Sequence, residues 1–116
     1  MKYSIENIDG IVIFGIMNKN INSNISAELK EQMLIVSQPD IKALVVDISE
    51  VETIDSSGIG SFLLAERQLS DHGVPMAFVG TNENIKNTMI MLKLDKLFDF
   101  FDTNDDAKKT ILEILK

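Results

Sequence analysis

Two stretches decide how this chain folds: Ala43-Leu44-Val45-Val46-Asp47-Ile48 and, a short turn later, Asp55-Ser56-Ser57-Gly58-Ile59-Gly60. The first is an apolar run without alternation, the pattern of a strand covered by helices on both faces, which belongs in the middle of a sheet. After the second, Ile59, Phe62, Leu63, Ala65 and Leu69 trace one helical face as far as Ser70, and His72-Gly73 supplies a left-handed cap. A buried strand feeding a helix in this way is a strand-helix unit of an α/β sheet.

The units on either side agree. Upstream, Tyr3, Ile5 and Ile8 lead into a turn over 7–10 in which Asp9-Gly10 is a hairpin signal, and Ile11 to Ile16 follows as a second, antiparallel strand. Ser23-Asn24 precedes Ile25, Leu29, Met33 and Val36, spaced for a helix over 26–37 that stops before Pro39. Downstream, Met76 to Val79 reads as a strand, Asn82 as the cap of a helix ending near Leu94, and Leu97 to Phe101 as a short edge strand. A last helix starts at Thr103 or Asn104 and carries Ala107, Ile111, Leu112 and Leu115. The order β-β-α-β-α-β-α-β-α predicts an α/β fold: a mixed sheet of four to five strands, parallel except for its opening hairpin, with about four helices.

At 116 residues the chain fits one domain, 1–116, able to bury roughly two-thirds of its unfolded surface. A net charge of -7, from 11 Lys and Arg against 18 Asp and Glu, argues against direct nucleic-acid binding and for protein partners with basic patches. Cysteine is absent, which removes disulfides and thiolate metal sites, and no apolar run reaches the length of a membrane span. These features point to a cytoplasmic protein with no membrane contact.

The 55–60 turn joins a central strand to a helix, the edge of an α/β sheet where ligands and partners are met. Read purely as structure it is a well-capped helix start, since Asp and Ser are favoured N-caps. The glycines argue for more: each costs about 1 kcal/mol against alanine inside a helix, and two in the first turn suggest that something outside the fold requires Gly58 and Gly60.

With these residues the chain resembles the STAS domains, and among them the bacterial anti-sigma factor antagonists. Their mark is a central strand ending in Asp, here Val45-Val46-Asp47, then Asp-Ser-(Ser/Thr)-Gly-(Leu/Ile)-Gly, here Asp55 to Gly60. The resemblance covers nearly the whole chain, including the hairpin and the acidic stretch from Asp102 to Ala107. It implies a STAS-like fold, no catalysis, no cofactor and no metal. It implies Ser56 as the residue phosphorylated by a partner that is both serine kinase and anti-sigma factor, with Ser57 a neighbouring capping hydroxyl. The unphosphorylated form would bind the kinase and release a sigma factor; a phosphoserine phosphatase would reset the switch. The implied partner surface comprises Asn22, Ser23, Asp55, Ser57, Gly58, Ile59 and Gly60. One departure stands out: after the second strand the family has Gly-(x)-Leu-Asp, whereas this chain has Asn18-Lys19-Asn20-Ile21-Asn22, one residue longer, with Asn22 in place of the aspartate. This loop is expected beside Ser56.

Physically, a phosphate adds about -1.5 to -2 charges and three acceptor oxygens. The helix N-terminus favours it by roughly 0.3 to 1 kcal/mol, but at a closed interface its bulk and its repulsion from Asp55 outweigh that. Other residues read more plainly. His72, the only histidine, is a helix-end residue, and Ser56 lacks the Gly-x-Ser-x-Gly setting of a hydrolase nucleophile. Asp47 terminates its strand, and Asp102, Asp105 and Asp106 lack the ligand spacing of a calcium loop. Met89 and Met91 leave an apolar surplus on the third helix that serves the core or a partner. The rival readings are a STAS scaffold or accessory subunit, stressosome-like or of a lipid transporter, and a small nucleotide- or anion-binding protein. The latter is weakened by the absence of any Lys or Arg from Val51 to Glu66.

Overall fold

The computed structural model describes residues 1–114. Strands β1 (Tyr3–Ile8) and β2 (Ile11–Ile16) form the opening hairpin, paired antiparallel from Tyr3↔Ile16 to Ile8↔Ile11. Its turn has positive φ at both Asp9 (54°) and Gly10 (92°), the twist that joins strands through two residues. After β2 come β3 (Asn20–Ile21), α1 (Ser23–Val36), β4 (Ala43–Asp47), β5 (Thr53–Ile54), α2 (Ser56–Ser70) and β6 (Met76–Val79). The last three elements are α3 (Glu83–Met91), β7 (Asp99–Phe101) and α4 (Asn104–Ile114). The main sheet has the order β1-β2-β4-β6-β7, parallel except for β1 against β2. The expected mixed α/β sheet with four helices is the one observed.

Burial explains the order. All four of Ala43, Leu44, Val45 and Val46 are fully buried, which the central strand achieves because alternate residues face opposite layers. Leu44 and Val46 enter the larger core with Phe14, Leu29, Met33, Phe62, Phe78 and Met89, beneath α1, α2 and α3. Val45 joins Ile11, Ile13 and Val79 against Ala107 and Ile111 of α4, the smaller core on the opposite face. Phe78 centres the larger one, with ring centroids 5.0 Å from Phe62, 4.9 Å from Phe98 and 6.0 Å from Phe100.

Several boundaries differ from the sequence expectation. Helix α1 starts at Ser23 rather than Ser26, because Asn22 is its cap and accepts from the Asn24 N–H. Helix α3 ends at Met91, short of Leu94, because Lys93 takes a left-handed φ of 61° and closes the helix with Leu94 N–H donating to the Met89 carbonyl. Met89 is buried, whereas Met91 is exposed. The edge strand covers Asp99–Phe101 and leaves Leu97 outside. Gly73 has the left-handed φ of +69° expected after α2, with His72 in the turn beside it. Asp105 and Asp106 lie in the first turn of α4, while Leu115 lies outside the described residues. The pair β3 and β5 has no signal in the sequence: two strands of two residues each carry no periodicity to read.

Replacing Phe78 by Ala removes the ring shared by three aromatic neighbours. Urea unfolding should show a loss of about 3–5 kcal/mol for this variant, with the slope in denaturant unchanged.

Candidate functional site

The turn before α2 is held by the miniature parallel sheet. Asn20 pairs with Thr53 and Ile21 with Ile54, the Thr53 hydroxyl donates to Asn20 Oδ1 at 2.5 Å, and the Asp55 N–H donates to the Ile21 carbonyl at 3.0 Å. This pairing sets the starts of α1 and α2 side by side, so the Asn18–Asn22 loop does lie beside the Ser56 turn. Asn82, the cap of α3, adds a third tie by donating from Nδ2 to the carbonyls of Val51 (3.2 Å) and Glu52 (2.9 Å). The Asn20–Thr53 and Asn82 contacts span 33 and 31 residues, and nothing local in the sequence signals them.

Capping in the turn falls to Asp55, not to a serine. Its Oδ1 accepts from the N–H groups of Ser57 (3.0 Å) and Gly58 (3.2 Å) and from the Ser57 hydroxyl (2.5 Å). Ser57 is therefore a donor to the cap and not itself the cap. The Ser57 hydroxyl bond, outweighing the partial desolvation, and the N–H groups of Gly58, Ser57 and Ser23 hold the Asp55 carboxyl below its ordinary value of 3.8. Ser56, the first residue of α2, is exposed, and among the described residues its hydroxyl has no hydrogen-bond partner. Asn22 caps α1 well without a charge, so the missing carboxylate costs the fold nothing visible.

The two glycines have different reasons. A Cβ on Gly58 would lie 2.5 Å from Ile21 Cγ2 and 2.9 Å from Ile54 Cγ1, so the fold itself demands this glycine: the helix must slide under the miniature sheet. A Cβ on Gly60 would meet nothing within 4 Å. Gly60 opens instead onto a groove of about 410 Å³ between α1 and α2, lined by Ser26, Ala27, Lys30, Ser57, Gly60, Ser61 and Leu64. The expectation that both glycines answer to something outside the fold is thus corrected for Gly58. Ile59 is 7% exposed and points into the protein, which leaves it shaping the surface from below. Asn22, Ser23, Asp55, Ser56, Ser57 and Gly60 are the expected site residues that reach that surface.

Asp47, the other motif residue, is fully engaged. Its Oδ1 accepts from the Ser49 N–H (3.0 Å) and hydroxyl (2.7 Å), and its Oδ2 accepts from Asn104 Nδ2 (2.9 Å), tying the end of β4 to the start of α4.

A buried central strand ending in such an aspartate, a capped Asp-Ser-Ser-Gly turn and the sheet order together specify a fold family, and the family model for the STAS domain matches residues 2–107. The chain belongs to the STAS domain family. Among relatives of this STAS domain, a Thermotoga maritima protein named for the anti-sigma factor antagonists is 28% identical over 64 residues, 55% of this chain and 57% of that protein's length. An anti-sigma factor antagonist from Mycobacterium paratuberculosis has the same fold, with a TM-score of 0.82 at 23% identity over 95% of this chain and 92% of that one. The Bacillus cell fate determinant SpoIIAA in its phosphorylated form superposes with a TM-score of 0.75 at 12% identity, over 95% and 99% of the two chains. No helix among the described residues is long and apolar enough to cross a membrane.

Three outcomes test this geometry. Gly58→Ala should destabilise the domain by about 1–3 kcal/mol through overpacking, whereas Gly60→Ala should stabilise it by about 0.5–1 kcal/mol, both read from urea unfolding. Because folding lowers the Asp55 pKa, its contribution is present above pH 3.8 and is lost as the pH falls through the lower folded value. The stability difference between wild type and Asp55→Asn should therefore shrink between pH 5 and pH 2, as followed by thermal unfolding.

Proposed function

We propose that this STAS domain is an anti-sigma factor antagonist switched by phosphorylation of Ser56. In the unphosphorylated state it binds a serine-kinase anti-sigma factor through the surface around Ser56, Gly60, Asn22 and Ser23, and the sigma factor is released. A phosphate on Ser56 ends that binding, and a phosphoserine phosphatase restores it. The chain acts as a binding module and carries out no chemistry of its own.

The observation that carries this reading is the state of the Ser56 hydroxyl: exposed, without a partner among the described residues, and mounted on a helix start tied to its neighbours by hydrogen bonds. A kinase can reach such a group without unfolding anything. Gly60 supports it as well, since a helix retains an open glycine at a cost of about 1 kcal/mol against alanine, and a bare backbone lets another protein approach closely. Names among its relatives agree with the reading. The net charge of -7 suits a partner with a basic face.

Intact-mass spectrometry with peptide mapping on protein isolated from its native cells tests it, comparing wild type with Ser56→Ala. The expected result is a single phosphate on Ser56 in part of the wild-type population and none in the variant. Wild type that carries no phosphate under any growth condition, and co-purifies with a transporter ATPase or a larger scaffold in place of a kinase, would assign the chain to one of those assemblies.

A further inference from the structure

The turn offers two adjacent serine hydroxyls, and the fold treats them differently. Ser57 lies half-buried at the mouth of the α1/α2 groove, its hydroxyl hydrogen donated to Asp55 Oδ1 at 2.5 Å. Ser56 is exposed and its hydroxyl donates to no group among the described residues. We propose that Asp55 is a positioning residue that selects the phosphate acceptor, withholding the Ser57 hydroxyl and leaving that of Ser56 as the free nucleophile of the turn. This inference rests on the reading that the turn is phosphorylated.

Phosphoryl transfer from a nucleoside triphosphate forms a bond between serine Oγ and the γ-phosphorus and breaks the bond to the bridging oxygen. The nucleoside diphosphate leaves, and the serine proton passes to a base on the kinase. At Ser57 that proton already points at an ionised carboxylate of this chain, so an external base must first break a charge-assisted hydrogen bond. The product is disfavoured too. With the proton gone, the phosphorylated Oγ would face the Asp55 oxygen across a contact made for a hydrogen bond, and a dianion would sit beside a carboxylate. At Ser56, whose side chain leaves from the first position of α2, no carboxylate of the described residues holds the hydroxyl proton, and the phosphate would not replace a hydrogen bond to Asp55 Oδ1. The same carboxylate binds the Ser57 and Gly58 N–H groups, so its place is set by the helix itself. Selection is thus built from one oxygen, Asp55 Oδ1, that caps a helix and occupies a hydroxyl at the same time.

The test maps phosphopeptides on wild type, Asp55→Ala and Asp55→Asn, all isolated from native cells, with circular dichroism to confirm folding. Wild type should carry phosphate on Ser56 alone. In Asp55→Ala the share on Ser57 should rise at least tenfold, and in Asp55→Asn, which keeps a capping oxygen but loses the charge, by a smaller factor. Should Asp55→Ala fail to fold, the Asp55→Asn result decides. In wild type, proton NMR should resolve a slowly exchanging Ser57 hydroxyl that Asp55→Ala loses, a readout that needs no kinase. Phosphate confined to Ser56 in the folded variants would overturn the inference while leaving the switch intact. Loss of phosphate from both serines in the variants would give Asp55 a docking role and overturn it equally. Absence of phosphate from wild type would bring down the underlying reading and the inference with it.

Discussion

Helix starts leave N–H groups without partners, and in this protein two such starts are brought to one spot and satisfied in place. The hydrogen bond from the Asp55 N–H to the Ile21 carbonyl, one residue beyond the short parallel pairing of β3 with β5, is what makes this possible. It sets the register between the segment before α1 and the segment before α2, and it brings Ile21 and Ile54 so near the first turn of α2 that position 58 can hold no side chain. Cap, glycine and exposed serine all follow from that register. A shift of a single residue would turn Ile21 and Ile54 to the opposite face and leave the helix start without its cover.

The fold was legible because its signals are local. The unbroken Ala43 to Val46 run, the Asp9-Gly10 hairpin and the helical spacing of Leu29, Met33 and Val36 each follow from burial of nearby residues, and each is found where expected. What escaped was set by distance along the chain. Strands of two residues have no pattern, and their partners are decided by where α1 and α2 come to rest. Helix ends were misplaced for a related reason: a lysine at φ 61° closes α3, a conformation that sequence alone assigns to glycine or asparagine.

The candidate site was legible as a motif and not as an arrangement. Asp55, Ser56, Ser57, Gly58, Ile59 and Gly60 are consecutive, so they appear equivalent on paper, yet the helix sends them in different directions. Gly58 and Ile59 face inward, Ser57 is drawn back to Asp55, and Ser56 and Gly60 face out. An argument from composition assigns both glycines one purpose; the positions of Ile21 and Ile54 divide that purpose between folding and surface. Asn22 is similar. Its identity departs from the family pattern, but its capping bond to Asn24 shows that the backbone there asks only for an oxygen.

The Ser56 hydroxyl, without a partner among the described residues, also bears on what kind of signal the proposed switch would transmit. Under the proposed switch, a phosphate on this hydroxyl would break no hydrogen bond among the described residues, so no second conformation would be required. Information would then reside wholly in the outer contour and charge of the molecule, read by whatever docks there. Such a device would have no internal relaxation time: its response would be as fast as the enzymes that write and erase the mark, and its memory would last as long as the covalent bond.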